Sequence, residues 1–246
     1  MSSRHIFRSA LVAAIFSLAA CSNSSSDSSG LDASFPIGVG GEITGVLKIE
    51  QGRCGELGPA TGSWFRMTPP DTELKDEPFV TNFDSQCPDQ TYSLLSPGKV
   101  GLRTGEYQEG PNPPFDAATN GVADDIILPT RFYSVTFALS SEQKSPVTGS
   151  SLAAPRLFVS ASTQTEKTGE ATLTASLESL FLAWNGDWFE QGSPHPHGYR
   201  GNTSKALGTI NLRTGRFMLT WNSEVEGGPF DGTTGVWHLE GFFVTD

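Results

Sequence analysis

From Phe35 to the C-terminus, short apolar runs alternate with glycine, proline and other turn-forming residues. This spacing limits the possible folds more than any other feature, because apolar runs this short suit β-strands rather than helices. The pattern is typical of an antiparallel β-sandwich or a barrel-like domain. We therefore predict a mainly β fold with one short α-helix, in a single domain that spans residues 35–246.

Alternation of apolar and polar residues predicts several individual strands. Segments 43–50 and 132–139 each place large apolar side chains on one face. A hairpin is predicted over residues 210–221, where Gly215 supplies the positive φ that its loop needs. The last strand, 236–244, carries aromatic residues on both faces, so we expect it to be central in its sheet or covered on each side.

One segment has the spacing of a helix instead. Ser176 can cap its start, and Asn185 with Gly186 can end it in a left-handed conformation. We expect this helix to pack on the sheet with its aromatic side chains in the core. An exposed Trp188-Phe189 pair is the alternative, since it could stack on a sugar ring or line an apolar groove. The apolar residues at helical spacing are Leu177, Leu180, Phe181, Trp184 and Trp188.

Two of the three cysteines, Cys54 and Cys87, lie within the predicted domain. In an oxidising compartment an isolated pair predicts a disulfide. Closing a loop of this size would constrain the unfolded chain by roughly 3–4 kcal/mol. The alternative is a pair of free or metal-binding thiols, which no CxxC spacing supports.

The histidines are the main candidates for catalysis or metal binding, because the chain has no G-x-S-x-G nucleophile motif. His195 and His197 lie two residues apart in an extended Gly/Pro-rich stretch, so their side chains would point the same way. They could chelate a metal, with His238, Asp187 or Glu190 completing the ligand set. Histidines in such loops are more often solvated, so we assign no metal there and expect no cofactor.

A second weak metal motif precedes the predicted central strands. Asp116, Asn120 and Asp124 fall at positions 1, 5 and 9 of a calcium-loop template. Position 12 is Ile127, where the template requires a bidentate glutamate. A plain turn at Asn120 is the simpler interpretation.

The start of the chain has the pattern of an export signal. Arg4 and Arg8 precede an apolar run that suits a signal peptide and is too short to span a bilayer. The run ends in Leu-Ala-Ala-Cys, residues 18–21, which resembles the lipobox of bacterial lipoproteins. The resemblance implies that residues 1–20 are a signal peptide that is removed, and that Cys21 carries a lipid at the mature N-terminus.

Residues 21–34 are rich in serine and predict a flexible tether between the lipid and the domain. The lipoprotein resemblance also implies export and, because Ser22 rather than Asp follows the cysteine, attachment to the outer membrane or the cell surface. Removal of residues 1–20 takes away two arginines and no acidic residue, so the formal net charge changes from −11 to −13. This charge repels phosphate backbones and excludes nucleic acid as a partner. The acidic surface is also repelled by anionic lipids, so the covalent lipid must hold the protein at the membrane. Each buried methylene of its acyl chains contributes about 0.8 kcal/mol to membrane binding.

Two C-terminal stretches, 184–194 and 227–241, resemble parts of secreted bacterial proteins of unknown activity, which supports export but transfers no site. Together these features favour a lipid-anchored envelope protein. We expect it to act as a non-enzymatic binding or accessory module for an exported partner or for an apolar or glycan ligand. The candidate ligand-binding residues are Trp188, Phe189, His195 and His197. The alternative is an envelope or extracellular hydrolase that uses the His195/His197 loop, which would require a histidine in contact with a nucleophile or a metal.

Overall fold

The computed structural model of the chain describes residues 37–56, 59–72, 74, 78–110, 124–195 and 201–246. Within these ranges the protein is mainly β, as predicted, with one short α-helix, α1 (Thr165–Thr168), and a 3-10 turn at Gly228–Phe230. The strands, in chain order, are β1 (Gly40–Ile43), β2 (Gly45–Ile49), β3 (Trp64–Thr68), β4 (Ser93–Leu94), β5 (Ser96–Pro97), β6 (Leu102–Arg103), β7 (Ile127–Leu128), β8 (Thr130–Phe132), β9 (Val135–Ser141), β10 (Arg156–Ser160), β11 (Glu170–Ser176), β12 (Leu180–Trp184), β13 (Asp187–Glu190), β14 (Ala206–Asn211), β15 (Arg216–Glu224) and β16 (Thr234–Thr245).

All strand pairs in the described ranges are antiparallel, and they form three sheets. The large sheet has ten strands in the order β1-β10-β11-β14-β15-β16-β2-β6, with β3 pairing with β16 and β4 pairing with β3. This sheet curls into a half-barrel. The small sheet has the order β13-β12-β9-β8, and β5 pairs with β7 in a separate two-stranded sheet.

β16 is the central strand of the large sheet, as its aromatic residues predict. One edge pairs with β15 from Arg216↔Phe242 to Glu224↔Thr234, and the other edge pairs first with β3 and then with β2. The partner changes near Gly241, where a Cβ atom would lie 1.9 Å from the carbonyl oxygen of Lys48. Only glycine allows the two strands to approach this closely.

The main hydrophobic core lies between the large and the small sheet. Phe65 of the large sheet meets Phe137 of the small sheet edge to face, with 5.8 Å between ring centroids. The predicted faces of segments 43–50 and 210–221 are confirmed, because Leu47 and Leu219 are fully buried and the exposed Lys48 lies on the opposite face. The sheets therefore pack face to face around a shared aromatic centre.

A glutamine at the centre of this core joins the two sheets. Trp221 and Trp237 of the large sheet are almost fully buried and stack with 5.7 Å between centroids. Gln191, which follows β13 of the small sheet, accepts a hydrogen bond from each indole. Trp237 Nε1 donates to Gln191 Oε1 over 3.0 Å, and Trp221 Nε1 donates to the carbonyl oxygen of Gln191 over 2.8 Å. We call this group the Gln191 lock.

The helix predicted from Leu177 to Trp184 is wrong. This segment forms β12, and β13 folds back on it through a two-residue turn at Asn185 and Gly186, which have φ of 52° and 82°. All five residues of β12 are buried. A strand that is covered on both faces has a continuous apolar run, so its spacing can match a helical pattern by chance.

The strand predicted over 132–139 is also wrong in its first residues. Tyr133 and Ser134 form a turn with positive φ at both positions, 51° and 62°, and this turn connects β8 to β9. Phe137 and Leu139 are buried on the predicted face of β9, whereas Tyr133 projects from the turn and is 37 % exposed.

The predicted signal peptide, the lipidated Cys21 and the tether lie outside the described residues. Across the described ranges, no helix combines the length and the apolar character that crossing a bilayer requires.

We expect Gln191→Ala to lower the free energy of unfolding by about 2–3 kcal/mol, because it leaves the buried Trp237 indole N–H without an acceptor. The measurement is urea denaturation followed by tryptophan fluorescence. Gln143→Ala is the control, since Gln143 is exposed and its loss should cost less than about 0.5 kcal/mol. Equal effects of the two substitutions would show that the lock does not stabilise the fold.

Candidate functional site

The structure does not bring the predicted histidines into one site. His195 is buried beside Glu190, with 3.8 Å between its Nε2 and Glu190 Oε2. His238 lies on the outer face of β16, where it stacks on Trp64 at 4.9 Å, and His197 lies outside the described residues. In the part of the chain that the structure describes, no group of three or more His, Cys, Asp or Glu side chains is arranged to hold a metal ion.

His195 belongs to a buried polar cluster with a serine and a glutamate. Ser145 Oγ donates to Glu190 Oε1 over 2.8 Å. The carboxylate thus contacts both the serine and the histidine, and all three side chains are buried. A general base has to contact the nucleophile that it activates. In this cluster the group in contact with the Ser145 hydroxyl is the carboxylate of Glu190.

Trp188 and Phe189 lie on opposite faces of β13. Phe189 is buried in the main core. Trp188 is half-buried on the other face, where it packs against Ala138 and Ala183. The structure therefore gives these two aromatic residues no common surface for a ligand.

The calcium-loop motif falls mostly outside the described residues, which include neither Asp116 nor Asn120. Asp124 is described, and its Oδ2 lies 2.7 Å from the ammonium group of Lys99. This carboxylate therefore forms a salt bridge with an exposed lysine.

The disulfide between Cys54 and Cys87 is confirmed, with 5.2 Å between the Cα atoms. It connects the segment after β2 to the loop that precedes β4. This loop is compact, because Asn82 N–H donates to Gln90 O over 2.6 Å and the Ser85 hydroxyl contacts Tyr92 O. The crosslink thus holds residues 82–93 against the large sheet.

A polar cleft of about 290 Å³ opens where this loop faces β8 of the small sheet. We call it the junction cleft, because one wall comes from the small sheet and the other from the loop and β4 of the large sheet. Sequence analysis missed it, since its walls are some forty residues apart and no motif marks either one. Its polar lining includes Gln51, Asn82, Asp84, Ser93, Thr130 and Arg131.

Hydrogen bonds fix the two walls of the junction cleft relative to each other. The buried Asn82 Nδ2 donates to Ser93 Oγ over 2.8 Å on its own wall and to Arg131 O over 3.2 Å on the opposite wall. Thr130 Oγ1 donates to Leu94 O over 3.2 Å. These contacts predispose the cleft to keep its shape without a ligand.

Two exposed aromatic side chains, Phe83 and Tyr133, are close in sequence to residues that line the junction cleft, Asn82 and Arg131. Phe83 is 69 % exposed, and its ring lies edge to face with Tyr133 at 5.5 Å. Tyr133 and Ser134 occupy the left-handed region, which costs free energy for residues other than glycine. The Asp84 carboxylate accepts a hydrogen bond from Ser134 N–H and so holds the turn in place. The turn therefore holds an exposed aromatic ring in an unfavourable backbone conformation.

Comparison of the chain with protein-family models, with curated proteins and with solved structures gave no match.

A separate carboxyl group gives the fold a pH dependence. Glu142, which follows β9, is partly buried, and this burial raises the pKa of its carboxyl above the usual range. Hydrogen bonds from Gly110 N–H and the Ser140 hydroxyl act in the opposite direction, whereas the charge of Glu109 adds to the increase. Because its pKa is higher in the folded state, folding favours the protonated carboxyl of Glu142. The protonated group contributes to stability at low pH, and this contribution is lost as the pH rises through the folded-state pKa.

We expect Glu142→Gln to stabilise the protein at about pH 8, where the charged carboxylate is disfavoured, and to have little effect at about pH 4. The glutamine keeps an Oε1 acceptor for Gly110 N–H, which now donates to Glu142 Oε1 over 2.7 Å. The measurement is the melting temperature as a function of pH. Glu178→Gln is the control, because Glu178 Oε1 accepts a hydrogen bond from Ala153 N–H at an exposed site. Its increase in melting temperature at about pH 8 should be smaller. The interpretation is wrong if the melting temperatures of the wild type and Glu142→Gln differ by the same amount at every pH in this range.

Proposed function

We propose that the chain is a lipid-anchored envelope protein that binds a glycan in the junction cleft without catalysing a reaction. The observations that carry this proposal are the polar cleft and, close in sequence to its lining residues, the exposed Phe83–Tyr133 pair, with Tyr133 on a strained turn.

The sizes of the cavities favour a polar ligand over an apolar one. The apolar cavity between the two sheets, lined by residues such as Phe65, Phe137 and Trp184, has a volume of only about 30 Å³. That is room for about one water molecule, whereas small-molecule sites measure roughly 300–1,000 Å³. The junction cleft is close to the lower end of that range, which suits one or two sugar units.

The chemistry of the junction cleft also fits a sugar. Sugar rings combine hydroxyl groups, which need hydrogen-bond donors and acceptors, with C–H faces that pack on aromatic rings. Gln51, Asp84 and Gln86 supply polar groups in the cleft. We place the exposed rings of Phe83 and Tyr133 against the C–H face of the sugar.

The placement of carboxylates supports binding rather than hydrolysis. Glycoside hydrolysis generally uses two carboxylates on either side of the bond that is cleaved. Among the described residues that line the junction cleft, Asp84 is the sole carboxylate, and it already accepts the hydrogen bond from Ser134 N–H. The buried contacts of His195 give the hydrolase alternative no support from the described residues.

The location of the protein is proposed from the sequence. The lipobox-like residues 18–21 support lipidation of Cys21 after export. The Cys54–Cys87 disulfide is consistent with an oxidising compartment. A tether of residues 21–34 would let the domain reach glycans of the envelope or the cell surface.

We expect Tyr133→Asn to weaken glycan binding roughly tenfold, since an aromatic contact is worth about 0.5–1.5 kcal/mol. Asparagine suits the positive φ at this position, so the turn should persist. The measurement is calorimetric titration of the full chain with an oligosaccharide selected on a glycan array.

Two matched variants separate the ring from the turn. Ser134→Gly changes the neighbouring turn residue and Tyr133→Phe keeps the ring, so both should retain wild-type affinity. The proposal is wrong if the protein binds no glycan on the array or in solution. It is also wrong if Tyr133→Asn binds the glycan as tightly as the wild type.

We expect Cys21→Ser to release the protein from membranes, because the hydroxyl cannot carry the thioether-linked lipid that the lipobox resemblance implies. The measurement is fractionation of cells that express the full chain, with mass spectrometry of its N-terminus. Ser22→Ala is the neighbouring control and should stay bound to membranes. Membrane retention of Cys21→Ser with unchanged N-terminal processing would disprove the lipid anchor.

A further inference from the structure

We infer that the glycan bound in the junction cleft carries a carboxylate, as uronic-acid sugars do, and that Arg131 recognises it. This inference depends on the proposed function, and it adds the chemical class of the ligand and the residue that selects it.

Arg131 is built into a wall of the junction cleft. It is the exposed middle residue of β8, with Thr130 half-buried before it and Phe132 buried after it. Its carbonyl oxygen accepts a hydrogen bond from the buried Asn82 Nδ2, which fixes its main chain against the opposite wall. Arg131 is therefore part of a rigid strand, and we place its guanidinium in the cleft that the residue lines.

The guanidinium of Arg131 has no carboxylate partner among the described residues. Other arginines of the sheets do: Arg156 pairs with Glu42, and Arg216 pairs with Glu50 and Glu240. The chain has 27 acidic and 16 basic residues, so acidic partners are abundant. An arginine without an acidic partner in a cleft of so acidic a protein is available for an anionic ligand.

The nearest candidate partner in the cleft is already engaged. Asp84 lines the same cleft, yet its carboxylate binds Ser134 N–H, in the turn beyond β8. One carboxylate thus stabilises the strained turn that presents Tyr133, while the arginine of β8 stays available. The ring and the guanidinium lie only two residues apart in sequence, on either side of Phe132.

A carboxylate fits this arrangement better than other anionic groups do. The planar guanidinium can donate two parallel hydrogen bonds to a carboxylate, while the exposed Gln51 and Gln86 offer neutral partners for sugar hydroxyls. The net charge of −13 after removal of residues 1–20 disfavours densely charged polymers such as highly sulfated glycans. A sugar that carries one carboxylate can pair with Arg131 and is repelled least by the acidic protein.

The test compares oligogalacturonates with their methyl esters, which have the same sugar backbone without the charge. We expect the full wild-type chain to bind the acidic form at least about tenfold more tightly, as a charge-assisted pair contributes about 1.5–3 kcal/mol. Arg131→Gln should remove this preference and keep affinity for the ester, and Arg131→Lys should retain part of it. Arg213→Gln makes the same charge change in the exposed β14–β15 loop and should leave the preference intact.

Three results would overturn the inference: equal binding of acid and ester by the wild type, an unchanged preference in Arg131→Gln, or equally tight binding of a sulfated oligosaccharide of the same length. In each case the glycan proposal itself stands if Tyr133→Asn still reduces binding of a neutral glycan. Failure of every glycan to bind would remove both proposals.

Discussion

The hydrogen bonds from Trp221 and Trp237 to Gln191 are the contact on which the rest of the structure depends. Each indole N–H is buried in the core, so each needs an acceptor, and Gln191, beside the small sheet, supplies both. The contact therefore fixes how the small sheet sits on the large sheet. Because the two walls of the junction cleft belong to these two sheets, the width of the cleft follows from the same contact.

Around this core, the residues that stabilise the fold differ from those that we propose bind the ligand. The Cys54–Cys87 disulfide and the buried Asn82 make one wall rigid. The opposite wall ends in a turn where Tyr133 has an unfavourable backbone conformation, held by Asp84. A fold that needed only stability would place asparagine or glycine at this turn. We propose that the turn retains this strain because it presents the exposed ring of Tyr133.

The sequence could predict the features that depend on local pattern. The β class, the hairpin over 210–221 and the Cys54–Cys87 disulfide follow from alternation, turn residues and cysteine count. The helix prediction failed because β12 is buried on both faces, and the turn at Asn185 suits a hairpin as well as a helix end. The junction cleft could not be predicted, since it combines residues near positions 82 and 131 that only the packing of two sheets brings together.

The most direct test of the central claim, that both walls of the junction cleft hold one glycan, is hydrogen–deuterium exchange of the full chain with and without an oligosaccharide that it binds. The account expects slower exchange in residues 82–94 and in residues 128–134, with no change in the lock tryptophans Trp221 and Trp237. Protection confined to one wall, or protection centred on the outer faces of the sheets near Trp188 or His238, would contradict it.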